Sequence, residues 1–104
     1  MTKTELAKKL LRRVFIKAGR EEYYEIDGKK DGEYKMWYEN GRPFIHCFYK
    51  NGKCDGEYKM QYENGQLAEH CCFTNGELDG EFKSWNRNGQ LDIHRHYKDG
   101  VEIK

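Results

Sequence analysis

The sequence predicts an all-β repeat protein: an elongated antiparallel meander of β-hairpins with one N-terminal α-helix as its cap. Three observations predict this fold class. Ten of the 11 glycines recur at intervals of 4, 9 and 11 residues, which is a 24-residue period. Asn-Gly pairs, which are preferred in tight hairpin turns, recur in phase with these glycines. Leu, Ile, Val and Phe make up only about 17% of the chain, so tyrosine-rich strands fit the composition better than an aliphatic core.

Composition and charge exclude several classes of protein. The net charge is +1 and 14% of residues are aromatic, which argues against a disordered chain. Residues 1–20 carry a charge of +6 and the remainder carries −5, so the basic charge is confined to one segment and we expect no nucleic-acid partner. Cys71 and Cys72 are adjacent and no CxxC pair is present, so we expect reduced thiols. The basic N-terminus lacks the apolar stretch of a signal peptide, and we expect a cytoplasmic protein.

Residues 1–20 form the first predicted element, an amphipathic basic helix near residues 3–18. Thr2 and Glu5 make a capping box, and Gly19 fits the residue that follows a helix. Exposed sheet edges need cover, so we expect the apolar side of the helix to cap the first strand. If the helix is instead free, its basic side is a candidate membrane or partner contact, made of Lys8, Lys9, Arg12, Arg13 and Lys17.

Residues 21–104 form the predicted repeat domain. It comprises a partial unit and three full units, at residues 21–30, 31–54, 55–78 and 79–104. Each full unit holds two strand-like stretches, and we expect about seven strands in all. The third unit has polar residues at inward positions, which is typical of a terminal repeat without a neighbour. These inward polar residues are Ser84, Asn86 and Arg95.

The turns set the predicted register. We expect Asn40-Gly41 to be a two-residue loop, and Asn51-Gly52 to begin a longer connection. The two-residue loop pairs Tyr34 with Cys47, Met36 with Ile45, Lys35 with His46 and Trp37 with Phe44. Because strand side chains alternate between faces, one face of the first hairpin is then apolar. Its residues are Tyr34, Met36, Tyr38, Pro43, Ile45, Cys47 and Tyr49, and the second unit matches with Tyr58, Met60, Tyr62, Leu67, Cys71 and Phe73, Glu69 excepted.

The segment from Tyr49 to Tyr58 has the pattern Y-x-N-G-K-x-x-G-E-Y. It resembles the MORN repeat, in the variant found in bacterial antitoxin-like proteins and in large DNA viruses of amoebae. The resemblance covers about residues 23–100. It implies an elongated meander of hairpins and a role in scaffolding, protein–protein contact or membrane association rather than catalysis.

The recurring polar residues give little support to a metal or catalytic site. His46, His70 and His94 recur in phase, but equivalent residues lie two strands apart, roughly 9–10 Å, which is too far to share one zinc ion. We expect them to face solvent opposite Lys35, Lys59 and Lys83. His94 and His96 share a face and could form half of a metal site; otherwise we expect no metal and no cofactor.

No catalytic residue is predicted. Asp31, Asp55 and Asp79 each precede a glycine, where a turn requires them. His70 and Cys72 share a face, but nothing supplies an oxyanion site beside them. We therefore expect that the protein is not an enzyme.

The outward face carries the predicted interaction surface. Trp37 and Phe44 pair across the first hairpin on that face, and exposed aromatic patches are candidate contact surfaces. The full set is Trp37, Phe44, Phe48 and Trp85.

The sequence therefore predicts a non-enzymatic interaction scaffold that binds a protein partner through the repeat sheet. One alternative is a membrane-associated adaptor that uses the basic helix. Others are an antitoxin-like partner protein, or a structural or host-interaction protein of a giant virus, located in the virion or the infected host cell. Open strand edges also make a homodimer conceivable.

Overall fold

A single antiparallel sheet of 11 strands forms most of the molecule, and the computed structural model describes all residues, 1–104. The elements in chain order are α1 (Lys3–Leu11), β1 (Val14–Ala18), β2 (Glu21–Ile26), β3 (Lys29–Trp37), β4 (Pro43–Lys50), β5 (Lys53–Cys54), β6 (Gly56–Gln61), β7 (Leu67–Thr74), β8 (Glu77–Leu78), β9 (Gly80–Trp85), β10 (Leu91–Lys98) and β11 (Val101–Ile103). The predicted all-β meander is confirmed.

The strand count exceeds the expected seven for three reasons. β1 precedes the predicted repeats, β11 follows the last hairpin, and Asp55 and Asp79 each divide one strand into two pieces. β5 and β6 both pair with β4, and β8 and β9 both pair with β7. The remaining neighbours follow chain order from β1 to β11, and the molecule measures 46 × 38 × 18 Å.

The N-terminal helix is half as long as predicted. It begins as expected, because the Thr2 hydroxyl accepts the Glu5 backbone N–H at 3.1 Å, but it ends at Leu11. Residues 14–18 form β1 instead, paired without interruption to β2. Two β-branched residues and a phenylalanine lie in this segment, and pairing with β2 outweighs the helical periodicity. Gly19 has φ +61° in the turn between these strands rather than at a helix end, and Lys17 lies on β1. No helix in the structure combines the length and the hydropathy that crossing a membrane requires.

The two classes of Asn-Gly turn are the reverse of the prediction. Asn51 and Gly52 both have positive φ, +51° and +80°, and Lys50 pairs with Lys53, so this is the two-residue loop. At residues 39–41 only the glycine has positive φ, and the Tyr38 N–H donates to the Arg42 carbonyl at 2.8 Å across a three-residue loop. Asn40 keeps negative φ there, and its side-chain oxygen accepts the Arg42 N–H at 2.9 Å.

The three-residue loop changes the register near the hairpin tip. Tyr34 faces Cys47 and Met36 faces Ile45 as predicted, but a bulge then places Trp37 opposite Pro43 instead of Phe44. Tyr38 and Phe44, predicted to lie on opposite faces, stack with ring centroids 4.5 Å apart. The alternation of faces therefore holds in the strand centres and fails at the tips.

Buried residues are few and lie in the first two units and the strand before them. They are Ile26, Asp31, Tyr34, Cys47, Ala68 and Cys71. Burial raises the pKa of the Cys47 and Cys71 thiols to about 12, so both stay neutral and pack as small apolar groups. No residue of the third unit is buried, which agrees with its polar inward positions.

The turns form two rows, one at each end of the strands, and successive units are hydrogen-bonded to each other at both rows. The backbone N–H groups of Gly52, Gly76 and Gly100 donate to carbonyls of the preceding unit at 2.7–2.8 Å. At the opposite row, the Tyr38 and Tyr62 hydroxyls donate to the carbonyls of Gln61 and Trp85 at 2.6 Å. Each unit is thus hydrogen-bonded to its neighbours beyond the strand pairing itself.

Candidate interaction surfaces

Exposed apolar side chains are concentrated at the N-terminal end of the sheet. Six of the ten large apolar side chains that are exposed lie within residues 1–15, and we call them the N-terminal patch: Met1, Leu6, Leu10, Leu11, Val14 and Phe15. Leu11 is 85% exposed, and α1 buries none of its residues. The predicted cover of the sheet edge by the helix is corrected, because β1 occupies that edge and has no outer neighbour. Leu6 and Leu10 are 47% and 42% exposed and line a cavity with Phe48 and Tyr49 of β4.

Polar contacts hold α1 against the sheet. Arg13 forms an ion pair with Asp31 at 2.8 Å, and the Lys9 ammonium donates to the Asn51 side chain at 3.0 Å. Arg12 lies 3.5 Å from Asp27. Burial by itself would raise the pKa of Asp31, but its hydrogen bonds with Arg13 and the Asn51 N–H, and the nearby cations, lower the pKa overall. The helix is thus positioned mainly by charged contacts, and its apolar side chains stay partly exposed.

Asp31 also explains why an aspartate recurs before glycine in each unit. Its second oxygen accepts the Asn51 backbone N–H at 3.3 Å, and Asp55 accepts the Asn75 N–H at 3.4 Å. Asp79 accepts the Thr74 hydroxyl at 3.1 Å. All three carboxylates hold turns in place.

The four predicted outward aromatic residues do not form one surface. Trp37 and Phe44 line a shallow cavity of about 470 Å³ beside the Gly19-Arg20 turn. Phe48 lies near the other turn row, beside α1, with its ring 5.4 Å from that of His46. Trp85 is on β9, in the third unit. Only the first two residues therefore remain candidates for a shared contact.

The three in-phase histidines each contact a glutamate. His46, His70 and His94 lie opposite Lys35, Lys59 and Lys83, as predicted. Their Nε2 atoms lie 2.9, 3.3 and 2.7 Å from carboxylates of Glu33, Glu57 and Glu81. The hydrogen bond with His46 lowers the pKa of Glu33, and that with His70 lowers the pKa of Glu57. The pKa of Glu81 is lowered first by Lys83 and also by His94.

Sequence reasoning missed these glutamates, although the recurring Gly-Glu pair at the start of each unit was a usable signal. Glu33 and Lys35 are two residues apart and therefore share a strand face with the histidine opposite. No group of three or more His, Cys, Asp and Glu side chains is arranged to hold a metal ion. The row of His–Glu–Lys contacts is a polar outer surface.

Lys30 was also missed by the sequence reasoning. Its ammonium lies over three aromatic rings at 5.0, 5.8 and 5.7 Å, those of Tyr23, Tyr34 and Tyr49. The equivalent residues of the later units are Cys54 and Leu78, so the lysine does not recur and the repeat pattern did not indicate this position.

Comparison with known proteins supports the repeat assignment. The family model described as a MORN repeat variant matches residues 30–53, 55–75 and 78–99, which together exceed half of the chain. The three matches follow the period of the glycines. No curated protein matches the sequence.

Proposed function

Since the chain belongs to the MORN repeat family, whose repeats generally mediate protein or membrane interactions, we propose that it is a non-enzymatic scaffold for a protein partner. The repeat sheet supplies the framework, and the N-terminal patch supplies the contact. The observation that carries this proposal is the concentration of exposed apolar side chains in the first 15 residues. Exposed apolar side chains that are concentrated in one region of a protein are candidate interaction sites.

Charge defines the kind of partner. Residues 1–20 carry +6, and Lys8, Arg12 and Lys17 are exposed beside the patch. An apolar centre with a charged rim is the usual anatomy of a protein interface. The complementary surface is therefore apolar with an acidic rim.

The experiment is affinity capture from the source cells, with a charge reversal inside the patch. The Leu11→Glu and Phe15→Glu double variant is compared with Val101→Glu, which alters another exposed apolar residue at the opposite end of the sheet. We expect one stoichiometric protein with the wild type and with Val101→Glu, and its loss with the double variant. Equal capture by all three proteins would refute the assignment of the patch, and the absence of any stoichiometric protein would refute the scaffold.

A membrane-associated adaptor is the second candidate, favoured by the same pairing of exposed leucines with basic residues in α1. Co-sedimentation with vesicles of phosphatidylserine and phosphatidylcholine tests it. The appropriate truncation removes residues 1–12 only, because removal of residues 1–20 would also delete β1. Binding that is lost on truncation and on replacing the anionic lipid supports the adaptor, and equal binding by both proteins contradicts it.

Narrower roles stay predictions. A toxin as the captured protein would indicate an antitoxin-like role, and capture from an infected cell or virion would indicate the viral one. The cytoplasmic location rests on the sequence reasoning alone. A homodimer through the open outer edge of β1 is tested by sedimentation over a range of concentrations.

A further inference from the structure

The third unit has two histidines side by side on one strand. His94 and His96 are two residues apart on β10 and therefore project from the same face. Their ring centroids are 5.1 Å apart, and the His94 side chain is 41% exposed. The pair lies at the opposite end of the sheet from the N-terminal patch, so it is independent of the proposed scaffold contact.

The spacing of the rings suits a shared metal ion. An imidazole nitrogen lies roughly 2.0–2.1 Å from a bound zinc ion, so two rings on one tetrahedral ion have centroids roughly 5 Å apart. The observed separation of the ring centroids, 5.1 Å, meets this requirement.

Glu81 orients one of the two rings. Its carboxylate lies 2.7 Å from Nε2 of His94, and its residue is the strand partner of His96. A carboxylate oxygen this close to Nε2 favours the tautomer of neutral His94 that carries its hydrogen on Nε2, so Nδ1 keeps the free lone pair. Carboxylate–histidine contacts of this kind commonly fix the tautomer of metal-binding histidines. The positive charge of Lys83 would repel a bound cation. The negative charge of Glu81, 2.9 Å from the Lys83 ammonium, offsets this repulsion.

We propose that His94 and His96 chelate one divalent transition-metal ion of the zinc class, with water at the remaining positions. Imidazole is a ligand that zinc, nickel and copper ions share. Two protein ligands are consistent with the lack of any group of three or more on this surface.

The repeats supply internal controls. The residue two positions after the in-phase histidine is Phe48 in the first unit, Cys72 in the second and His96 in the third. Each histidine has the same glutamate and lysine neighbours. The first unit, with Phe48 at this position, therefore differs from the third by the one side chain that chelation requires, and it serves as the control. The second unit is unsuitable as a control because the Cys72 thiol can itself bind metal.

The test is calorimetric titration of Zn²⁺ and of Ni²⁺ into the full chain at pH 7.5, in a Cys72→Ser background that removes the exposed thiol. We expect one ion per chain, and a loss of about tenfold or more in the association constant for His94→Gln and for His96→Gln, since either change breaks the chelate. His46→Gln, with Phe48 at the second position, should bind as the parent does.

A second measurement is independent of the variants. Zinc should shift the ring-proton NMR signals of His94 and His96 and leave that of His46 unchanged. Absence of binding by the parent, equal binding by all three histidine variants, or shifts spread equally over all histidines would each overturn the proposal.

Discussion

The first and third units share a backbone pattern but differ in what they bury. Both have the same turns, the same His–Glu–Lys contact and equivalent hydrogen bonds to a neighbouring unit. The first unit contains Asp31, Tyr34 and Cys47 as buried residues, whereas the third contains none. Turns and ladders are therefore sufficient to set the shape of a unit, and we expect its buried side chains to determine its stability.

The difference arises at matched positions. At one repeat position the three units have Cys47, Cys71 and Arg95. At another they have Met36, Met60 and Ser84. A charged side chain cannot be buried without a partner, so Arg95 stays exposed and pairs with Glu102 at 3.8 Å. The third unit therefore resembles a terminal repeat, and the matched positions allow this contrast to be tested by paired substitutions.

The largest expected effect is at Tyr34. Its side chain is 7% exposed and its ring lies within 5.8 Å of Tyr23 and Tyr49. We expect Tyr34→Ala to lower the free energy of unfolding by about 3–5 kcal/mol, as for other large buried aromatic side chains. Phe82→Ala, the matched change in the third unit, should cost less than half as much. Urea unfolding measures both, and equal losses would remove the contrast.

Cys47 and Arg95 form the next pair. Cys47→Ser places a hydroxyl at a site that is 2% exposed, at a cost of about 1–3 kcal/mol. Arg95→Ser changes a surface position and should stay within about 0.5 kcal/mol of the wild type. The same urea titrations apply, and a comparable cost at both sites would show that the third unit has a core of its own.

Asp31 and Asp79 test the charged contacts. Because the folded pKa of Asp31 is lowered, its contribution is present above the unfolded pKa of about 3.9 and is lost as the pH falls through the folded value. We expect Asp31→Asn to cost about 1–3 kcal/mol at pH 7 and to flatten the decline of wild-type stability below pH 4. Asp79→Asn is the control. A variant with the same acid profile as the wild type would show that Asp31 is not the titrating group.

The smallest expected effect concerns the junction between the second and third units. The Tyr62 hydroxyl donates to the Trp85 carbonyl at 2.6 Å. Tyr62→Phe should cost about 1 kcal/mol and accelerate amide exchange in β9 and β10. Tyr38→Phe should instead act on β6, through Gln61. Exchange that changes uniformly along the chain in both variants would mean that the units do not open separately.

The period and the strand centres could be predicted from sequence because both depend on local alternation. Tyr34 and Met36 face their predicted partners, and the histidines face their lysines. The turn classes could not be assigned from the dipeptide alone. Asn40 and Asn51 both precede glycine, but only the first uses its side chain to bond the backbone two residues later and so keeps negative φ.

The errors in the N-terminal segment have a different origin. Residues 14–18 have helical periodicity, and their strand state depends on pairing with residues 21–25. The position of α1 against the sheet depends on the ion pair between Arg13 and Asp31, which are 18 residues apart in the sequence. The contacts of Lys30 occur once and lack the repetition that revealed the rest. These contacts of Arg13 and Lys30 are long-range and unrepeated, so no recurring pattern in the sequence indicated them.

The hydrogen bonds that join Gly52, Gly76 and Gly100 to the unit before them have a consequence for how such a chain can change in length. Each bond links a residue to a carbonyl 22 positions earlier, at the same phase every time. Duplication or loss of a whole 24-residue block preserves every such bond, whereas an insertion within a strand shifts the paired residues out of phase. A chain of this architecture can therefore lengthen or shorten by whole units without losing the bonds between them.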